Sequence, residues 1–236
     1  MPIRKKLNEV VGKIPCIGDI LTTEVNSRGL AGLALGSYMA LVNAVPALAA
    51  NVTLEAVSGE QTGTLDTKVS GTLPIKIGYF FRNRTSVNYE TDNQVGSFSL
   101  LDLTYPLVKG FDFVAEGQFT NGMPFDPRLG VQYFKGFKSG ITAYALVTRN
   151  FSENPNTELT TVLGYTRDID GKLKLVGRWE EIINIGDENY NYDTSRLRLG
   201  IGNGQVTVGP ALDIFGIGSG ERPTYAPGVF VQVKLK

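Results

Sequence analysis

The sequence of 236 residues contains no histidine and a single cysteine, Cys16. Without histidine there is no Ser-His-Asp triad, no His-ligated metal and no imidazole proton shuttle. A single thiol forms neither an intrachain disulfide framework nor a cysteine-based zinc site. We therefore expect a protein that is not an enzyme and that needs no metal or other cofactor.

An excess of charge of one sign is also missing. Lys and Arg total 23 and Asp and Glu total 23, so the formal net charge is zero. Nucleic-acid-binding domains usually carry a basic excess or stripe, so we expect no nucleic-acid partner. The 42% of hydrophobic residues and the 28 glycines are typical of a folded chain.

The first 49 residues have the order of a secretory signal peptide. An uncharged, largely apolar run over 29–49 ends in an Ala-Leu-Ala motif, and cleavage is predicted after Ala49. The segment before it is long and carries five basic residues: Arg4, Lys5, Lys6, Lys13 and Arg28. Two alternatives stay open, an uncleaved membrane anchor and a buried helix of a soluble protein. Cleavage would remove Cys16 from the mature chain.

From Gly71 onward the sequence alternates with a period of two, which is typical of strands with two different faces. In 110–119, for example, Phe111 and Phe113 alternate with Asp112 and Glu116. This pattern predicts ten strands, at 73–82, 97–107, 110–119, 127–135, 140–149, 158–167, 172–183, 196–201, 205–214 and 229–235. The segment 50–72 alternates weakly and is either an N-terminal extension or an extra hairpin, which would give twelve strands.

The predicted connections alternate between long and short. The long ones are 83–96, 120–126, 150–157, 184–193 and 216–227, and the short ones are 108–109, 136–139, 168–171 and 203–204. Gly110, Gly171 and Gly204 suit tight turns that need a positive φ. An up-and-down antiparallel meander would collect all the long connections at one end.

An even number of antiparallel strands of about ten residues, apolar on one phase and polar on the other, resembles a bacterial outer-membrane β-barrel over residues 73–236. The resemblance is to the architecture and not to a specific family. It implies an up-and-down transmembrane barrel in the outer membrane, with the lipid bilayer and the outer-membrane assembly machinery as partners. It also implies a narrow, porin-like channel or a structural or surface protein with longer external loops.

Aromatic residues on the apolar phase fall near the ends of the predicted strands, as expected for the two interfaces of a membrane barrel. Tyr105, Phe111, Tyr133 and Tyr165 are predicted beside the short connections. The other three, beside the long connections, are Tyr79, Phe81 and Phe119.

The polar phase predicts a charged lumen, in which charges must pair or be hydrated. The expected lumen-lining residues are Lys76, Arg82, Asp112, Glu116, Arg128, Gln132, Lys172, Lys174, Arg178, Glu180, Arg196, Arg198, Asp213 and Lys234. A basic stripe on the strand 172–183, facing Arg196 and Arg198, would favour a selective pore for a small solute. Alternatively, salt-bridged side chains fill a narrow lumen, which the small size of the barrel favours. A paired-carboxylate site of Glu116 and Asp213 has no motif to support it.

The competing hypothesis is a soluble secreted β-barrel or sandwich that binds a small ligand. The two hypotheses differ in which phase of the strands faces inward. In a membrane barrel the apolar phase faces lipid and the charged phase faces the lumen, and in a soluble protein the two are reversed.

Overall fold

The computed structural model describes residues 50–89, 94–186, 190–216 and 222–235. The predicted signal peptide and Cys16 lie outside the described residues. The elements are twelve strands: β1 (Ala50–Gly59), β2 (Thr62–Thr72), β3 (Gly78–Asn88), β4 (Gln94–Val108), β5 (Phe111–Thr120), β6 (Asp126–Gly136), β7 (Ile141–Asn150), β8 (Asn156–Asp168), β9 (Lys174–Gly186), β10 (Tyr190–Gly202), β11 (Val206–Gly216) and β12 (Thr224–Leu235). Among the residues described, no helix is long and apolar enough to cross a membrane.

The twelve strands form a closed antiparallel barrel. Each strand pairs with the next along the chain, and β1 closes the ring against β12, from Val52 opposite Leu235 to Gly59 opposite Gly228. Closure leaves no strand with an unpaired edge. The ambiguous segment 50–72 forms the β1–β2 hairpin, so the twelve-strand alternative is confirmed.

We call the two ends of the barrel the terminal end and the distal end. The terminal end holds the start of β1, the end of β12 and the connections 73–77, 109–110, 137–140, 169–173 and 203–205. The distal end holds the connections 60–61, 89–93, 121–125, 151–155, 187–189 and 217–223. The expected contrast between one tight end and one end with long external loops is wrong, because both ends carry short connections.

The strands are longer at the distal end than the alternation predicted. Polar residues after Arg82 suggested a loop, but β3 keeps its ladder with β4 as far as Asn88 opposite Gln94. The Asn83 side-chain amide donates to Ser99 Oγ at 2.7 Å across this ladder. Polar residues are compatible with a strand there, because backbone pairing with the neighbouring strand does not require an apolar face.

Three turns of the terminal end contain a glycine with a positive φ, as expected. Gly110, Gly171 and Gly204 have φ values of 85°, 77° and 87°. A methyl group at Gly110 would also lie 2.8 Å from the ring of Tyr133. In the 169–173 turn, Asp170 Oδ1 accepts the backbone N–H of Leu173 at 2.7 Å and that of Lys172 at 2.9 Å.

The alternation of the sequence separates two faces of the barrel wall. Apolar side chains of the outer face are exposed, as at Leu199 (51%) and Val229 (52%). Charged side chains of the inner face are buried, as at Asp66 (1%) and Glu180 (2%). This distribution is the reverse of that of a water-soluble domain, in which apolar side chains form the core.

Candidate functional site

Two buried carboxylates, Asp66 and Glu180, are the centres of a charged network in the barrel interior. The first, Asp66 on β2, accepts hydrogen bonds at Oδ2 from Arg82 Nη2 at 2.7 Å and from Arg84 Nη2 at 2.8 Å. Lys68 Nζ lies 3.3 Å from the same oxygen. Three cations therefore surround a single carboxylate, an arrangement that stabilises the ionised form of Asp66.

The second carboxylate, Glu180 on β9, lies on the opposite wall. β3 and β9 are six strands apart in a ring of twelve, so they face one another across the lumen. Arg82 on β3 nevertheless donates from Nη2 to Glu180 Oε1 at 2.9 Å. Arg196 Nη1 donates to the same oxygen at 2.7 Å, and Arg178 donates to Oε2. The Arg82–Glu180 pair is a bridge across the full width of the interior.

A second group of contacts extends this network around the ring. Arg198 on β10 donates to Glu55 Oε1 on β1 at 3.1 Å and to Asp213 Oδ1 at 2.5 Å. Gln232 Nε2 donates to Glu55 Oε2 at 3.1 Å. We call the inner faces of β1–β3 and β9–β12 the basic half of the interior. Its described core residues are Lys68, Arg82, Arg84, Arg178, Arg196 and Arg198, with Glu55, Asp66, Glu180 and Asp213.

The inner faces of β4–β8 form an acidic half. Its carboxylates are those of Asp102, Asp112, Glu116, Asp126, Glu158 and Asp168, and Arg128 is the cation among the inward side chains described on these strands. Arg128 donates to Asp126 Oδ2 at 2.8 Å and to Asn156 Oδ1 at 2.8 Å, and its Nε lies 3.3 Å from Glu116 Oε1.

Neutral groups satisfy other carboxylates of the acidic half. Glu158 accepts hydrogen bonds from the Tyr192 hydroxyl at 2.8 Å and from Gln118 Nε2 at 3.2 Å. Gln132 Nε2 donates to Asp112 Oδ2 at 2.7 Å. Within the described ranges, Asp102 Oδ1 is buried without a hydrogen-bond partner, and no group of three or more acidic, His or Cys side chains could hold a metal ion.

A cavity of about 510 Å³ lies at the distal end of the basic half. Residues of β2–β4 and β10–β12 line it, and Arg84 and Arg196 lie at its inner limit, next to the Asp66 and Glu180 network. The side chains of Arg84 and Arg196 are 12% and 13% exposed. The cavity therefore lies next to the Arg82–Glu180 bridge, on its distal side.

Ten of the fourteen residues predicted to line the lumen take part in the contacts described above or in that cavity. They are Arg82, Asp112, Glu116, Arg128, Gln132, Arg178, Glu180, Arg196, Arg198 and Asp213. Lys174 and Lys234 lie at strand ends of the terminal end, where Lys174 Nζ is 3.4 Å from Asp168 Oδ1 and Lys234 is exposed.

The placement of Lys76 and Lys172 on strands is wrong. Both are exposed and lie in the connections 73–77 and 169–173, because β3 begins at Gly78 and β9 at Lys174. The predicted basic stripe is correspondingly shorter. Arg178 is the register partner of Arg198, whereas Arg196 is opposite Glu180.

The structure does not bring Glu116 and Asp213 together. They lie on β5 and β11, which face one another across the ring, and each carboxylate contacts its own arginine, Arg128 or Arg198. A hydrolytic carboxylate pair needs both groups at one site. This pair of residues is therefore part of two separate ion pairs.

The predicted aromatic residues are distributed differently between the two ends. Tyr105, Phe111, Tyr133 and Tyr165 lie towards the terminal end, where the rings of Phe111 and Tyr133 are 4.6 Å apart. Phe119 lies at the distal end, 4.7 Å from Phe125. The distal placement of Tyr79 and Phe81 is wrong, because β3 begins beside them at the terminal end.

Sequence reasoning missed several charged residues of the interior: Glu55, Asp66, Lys68, Arg84, Asp102 and Glu158. Asp102 lies between Leu101 and Leu103, so the alternation alone would have identified it. Arg84 fell in a segment interpreted as a loop. The residues of β1 and β2 fell in the segment that was either a hairpin or an extension.

Comparison with solved structures identifies the architecture. The NanC porin aligns over 80% of this chain and 100% of its own, with 12% identity and a TM-score of 0.51. The chain has the fold of a porin-type β-barrel. The KdgM porin in complex with disordered oligogalacturonate aligns over 79% and 99%, with 11% identity and a TM-score of 0.49. LpxR from Salmonella typhimurium aligns over 78% and 99%, with 8% identity and a TM-score of 0.48.

Sequence comparison adds no family to this porin-type barrel: no protein-family model matches the chain, and no curated protein does. At 12% identity, the likeness to NanC is a likeness of fold alone.

Proposed function

We propose that this protein is a non-enzymatic channel of the bacterial outer membrane, with the charged interior of the porin-type barrel as its permeation path. The observation that carries the proposal is the distribution of side chains across the wall. Apolar side chains such as Leu199 and Val229 are half exposed on the outer face, where a bilayer would cover them. Charged residues on the inner face, such as Asp66 and Glu180, would be in contact with water or with each other.

We also propose the route to this membrane. Residues 1–49 act as a signal peptide that is removed after Ala49, and the outer-membrane assembly machinery inserts the mature chain. Closure of β1 on β12 supports insertion, because a closed barrel satisfies every backbone hydrogen bond without water. Aromatic side chains near both ends, such as Tyr105 and Phe119, suit the two interfaces.

The proposed channel is narrow. Arg82 joins the opposite walls through Glu180 at 2.9 Å, so the passage at that level is divided by side chains. Charged groups above and below this bridge would favour small, hydrated solutes over large apolar ones. We therefore expect a conductance well below that of wide porins, whose larger barrels leave an open aqueous channel.

The soluble ligand-binding alternative requires the apolar face to be a core. In this barrel the apolar face points outward instead, so in a soluble protein Leu101, Leu197 and Val208 would be exposed to water. Monomeric soluble proteins rarely expose apolar patches of more than a few hundred Å². The membrane hypothesis accounts for these side chains without a partner protein.

The first test is fractionation of cells that produce the full chain, followed by electrophoresis of boiled and unboiled samples. We expect recovery in the outer membrane and a difference in migration between the two samples. N-terminal sequencing of the mature protein should give Ala50 as its first residue. Recovery as a monodisperse soluble protein without detergent would contradict the proposed membrane location.

The second test is conductance of the purified protein in a planar bilayer. We expect discrete steps of small conductance that are absent when the heat-unfolded protein is added. A correctly inserted, heat-modifiable barrel that never conducts would rule out the channel and leave a structural or surface role.

A further inference from the structure

We propose that the distal cavity of the basic half binds a small oxoanion, either a carboxylate or a phosphate, between Arg84 and Arg196. The inference rests on the proposed function, since such an anion would be a solute that enters the channel from the distal end.

The guanidinium groups of Arg84 and Arg196 both lie close to one carboxylate oxygen, Oε1 of Glu180. Arg196 Nη1 lies 2.7 Å from Glu180 Oε1, and Arg84 Nη2 lies 3.7 Å from the same atom. Both side chains also line the cavity. Glu180 therefore holds the two cations close to each other, where like charges would otherwise repel.

Part of the hydrogen-bonding capacity at this site is unused. Arg84 donates from Nη2 to Asp66 at 2.8 Å, but its Nε is buried and has no hydrogen-bond partner among the described residues. A buried donor without an acceptor is costly, so a small shift of the Arg84 side chain that brings Nε into contact with a ligand oxygen would be favoured. Guanidinium groups bind carboxylates and phosphates through two parallel N–H donors, and this geometry selects oxoanions over halides.

The charges around the cavity favour an anion. Asp213 is the acidic residue among the described lining residues, and Arg198 already binds its Oδ1 at 2.5 Å. The remaining polar lining includes Thr62, Thr64 and Ser86, whose hydroxyls can donate to an anion. The volume of about 510 Å³ is that of a typical small-molecule site and not that of a single ion.

The test is titration calorimetry of the folded mature protein in detergent micelles. Inorganic phosphate and citrate are the two probes, in separate experiments at an ionic strength held constant with sodium chloride. Binding of either probe above the chloride baseline supports the site, and the probe that binds identifies the source as phosphate or carboxylate. Absence of binding by both probes would overturn the proposal.

Two variants assign the binding to the cavity. We expect Arg84→Gln and Arg196→Gln each to weaken binding about tenfold or more, as for loss of a charge-assisted hydrogen bond. Arg84→Lys should weaken it less, because it keeps the charge but loses the Nε donor. Asp66 keeps Arg82 and Lys68 as partners in these variants of Arg84, and heat-modifiability checks that each barrel is folded.

The matched control is Lys174→Gln, which removes a positive charge at the terminal end, far from the cavity. It should bind phosphate or citrate like the parent protein. Equal affinities of Arg84→Gln, Arg196→Gln and the parent would overturn the proposed site. Conductance separates the two proposals: a protein that conducts but binds neither probe lacks the site, and one that binds but never conducts is not a channel.

Discussion

Buried carboxylates have different kinds of partners in the two halves of the barrel interior. In the basic half, carboxylates such as Asp66 and Glu180 are each surrounded by several cations. In the acidic half, Glu158 is held by a hydroxyl and an amide, and Arg128 serves two carboxylates. The bridge across the lumen, from Arg82 to Glu180, belongs entirely to the basic half.

From this difference we expect ion-paired and hydrogen-bonded carboxylates to respond differently to substitution. A carboxylate with several cationic partners becomes a junction, so its loss affects distant strands at once. A carboxylate held by neutral donors can lose its charge and keep its partners. The separation of positive and negative groups on opposite walls also sets up an electric field across the lumen, which would orient polar solutes.

Glu180→Gln should have the largest effect on this comparison. Arg82, Arg178 and Arg196 would lose their common anion, and we expect the free energy of unfolding to fall by about 4–5 kcal/mol, as for a broken buried ion pair. Since the bridge to Arg82 would also weaken, the conductance should rise. Urea unfolding in micelles, followed by the fluorescence of Trp179, measures the first effect, and planar bilayers measure the second.

Glu181→Gln is the control for that substitution. It is the adjacent residue on β9, but its side chain faces the other side of the wall and contacts Ser195. We expect an unchanged conductance and a change in stability of less than about 1 kcal/mol. Equal effects of the two substitutions would contradict the assignment of Glu180 as the junction of the interior.

Arg128→Met should have the next largest effect. This substitution keeps an unbranched side chain but removes the guanidinium, which leaves Glu116 and Asp126 without the cation that they share. We expect a loss of about 3 kcal/mol in the free energy of unfolding. The measurement is again urea unfolding, and a stable variant with unchanged unfolding would show that neutral donors suffice for the whole acidic half.

Glu158→Gln should change stability by less than about 1 kcal/mol, because its amide oxygen can accept from Gln118 and its amide N–H can donate to the Tyr192 hydroxyl. Loss of the negative charge also removes repulsion from the other carboxylates of the acidic half. A loss as large as that of Glu180→Gln in the same unfolding assay would show that the two halves do not differ in the way described.

The smallest effect is expected outside the barrel wall, at Asp170. The backbone N–H groups of Leu173 and Lys172 lower the pKa of this carboxyl below its ordinary value of 3.8. The ionised form is therefore favoured in the folded state, and its contribution to stability is present above pH 3.8 and lost as the pH falls through the lowered pKa. NMR titration of the Asp170 carboxyl measures this directly.

Variants of Asp170 provide the control. Asp170→Ala should lower the unfolding midpoint slightly at neutral pH, and the difference from the parent should disappear at acidic pH. Asp170→Asn should retain most of the stability at neutral pH, because its side-chain oxygen still accepts both backbone N–H groups. A pKa at or above 3.8 would contradict the role of these hydrogen bonds.

The faces of the strands could be predicted from the sequence, but the ends of the strands could not. Alternation is local, because each residue either contacts the outer environment or the interior, and it correctly assigned Phe113 to the outer face and Glu116 to the inner face. The end of a strand depends on pairing with its neighbour, as Arg84 opposite Phe98 illustrates. This partner lies in another segment, so composition alone suggested a loop.

The contacts across the lumen could not be predicted because they depend on the number of strands. Arg82 and Glu180 are 98 residues apart, and alternation says only that both face inward. Which strands face one another is set by the size of the ring. In a ring of ten strands without β1 and β2, the strand opposite Arg82 would be a different one, and Asp66 would be missing from the network.

Closure of the ring also has a consequence for the order of events in synthesis. Val52 of β1 pairs with Leu235 of β12, so β1 is synthesised long before its closing partner. Until it arrives, both β1 and the latest strand expose unpaired backbone groups, which invite aggregation. Only a chain synthesised through β12 can therefore pair both edges, so a nascent chain that stalls before β12 should stay prone to aggregation.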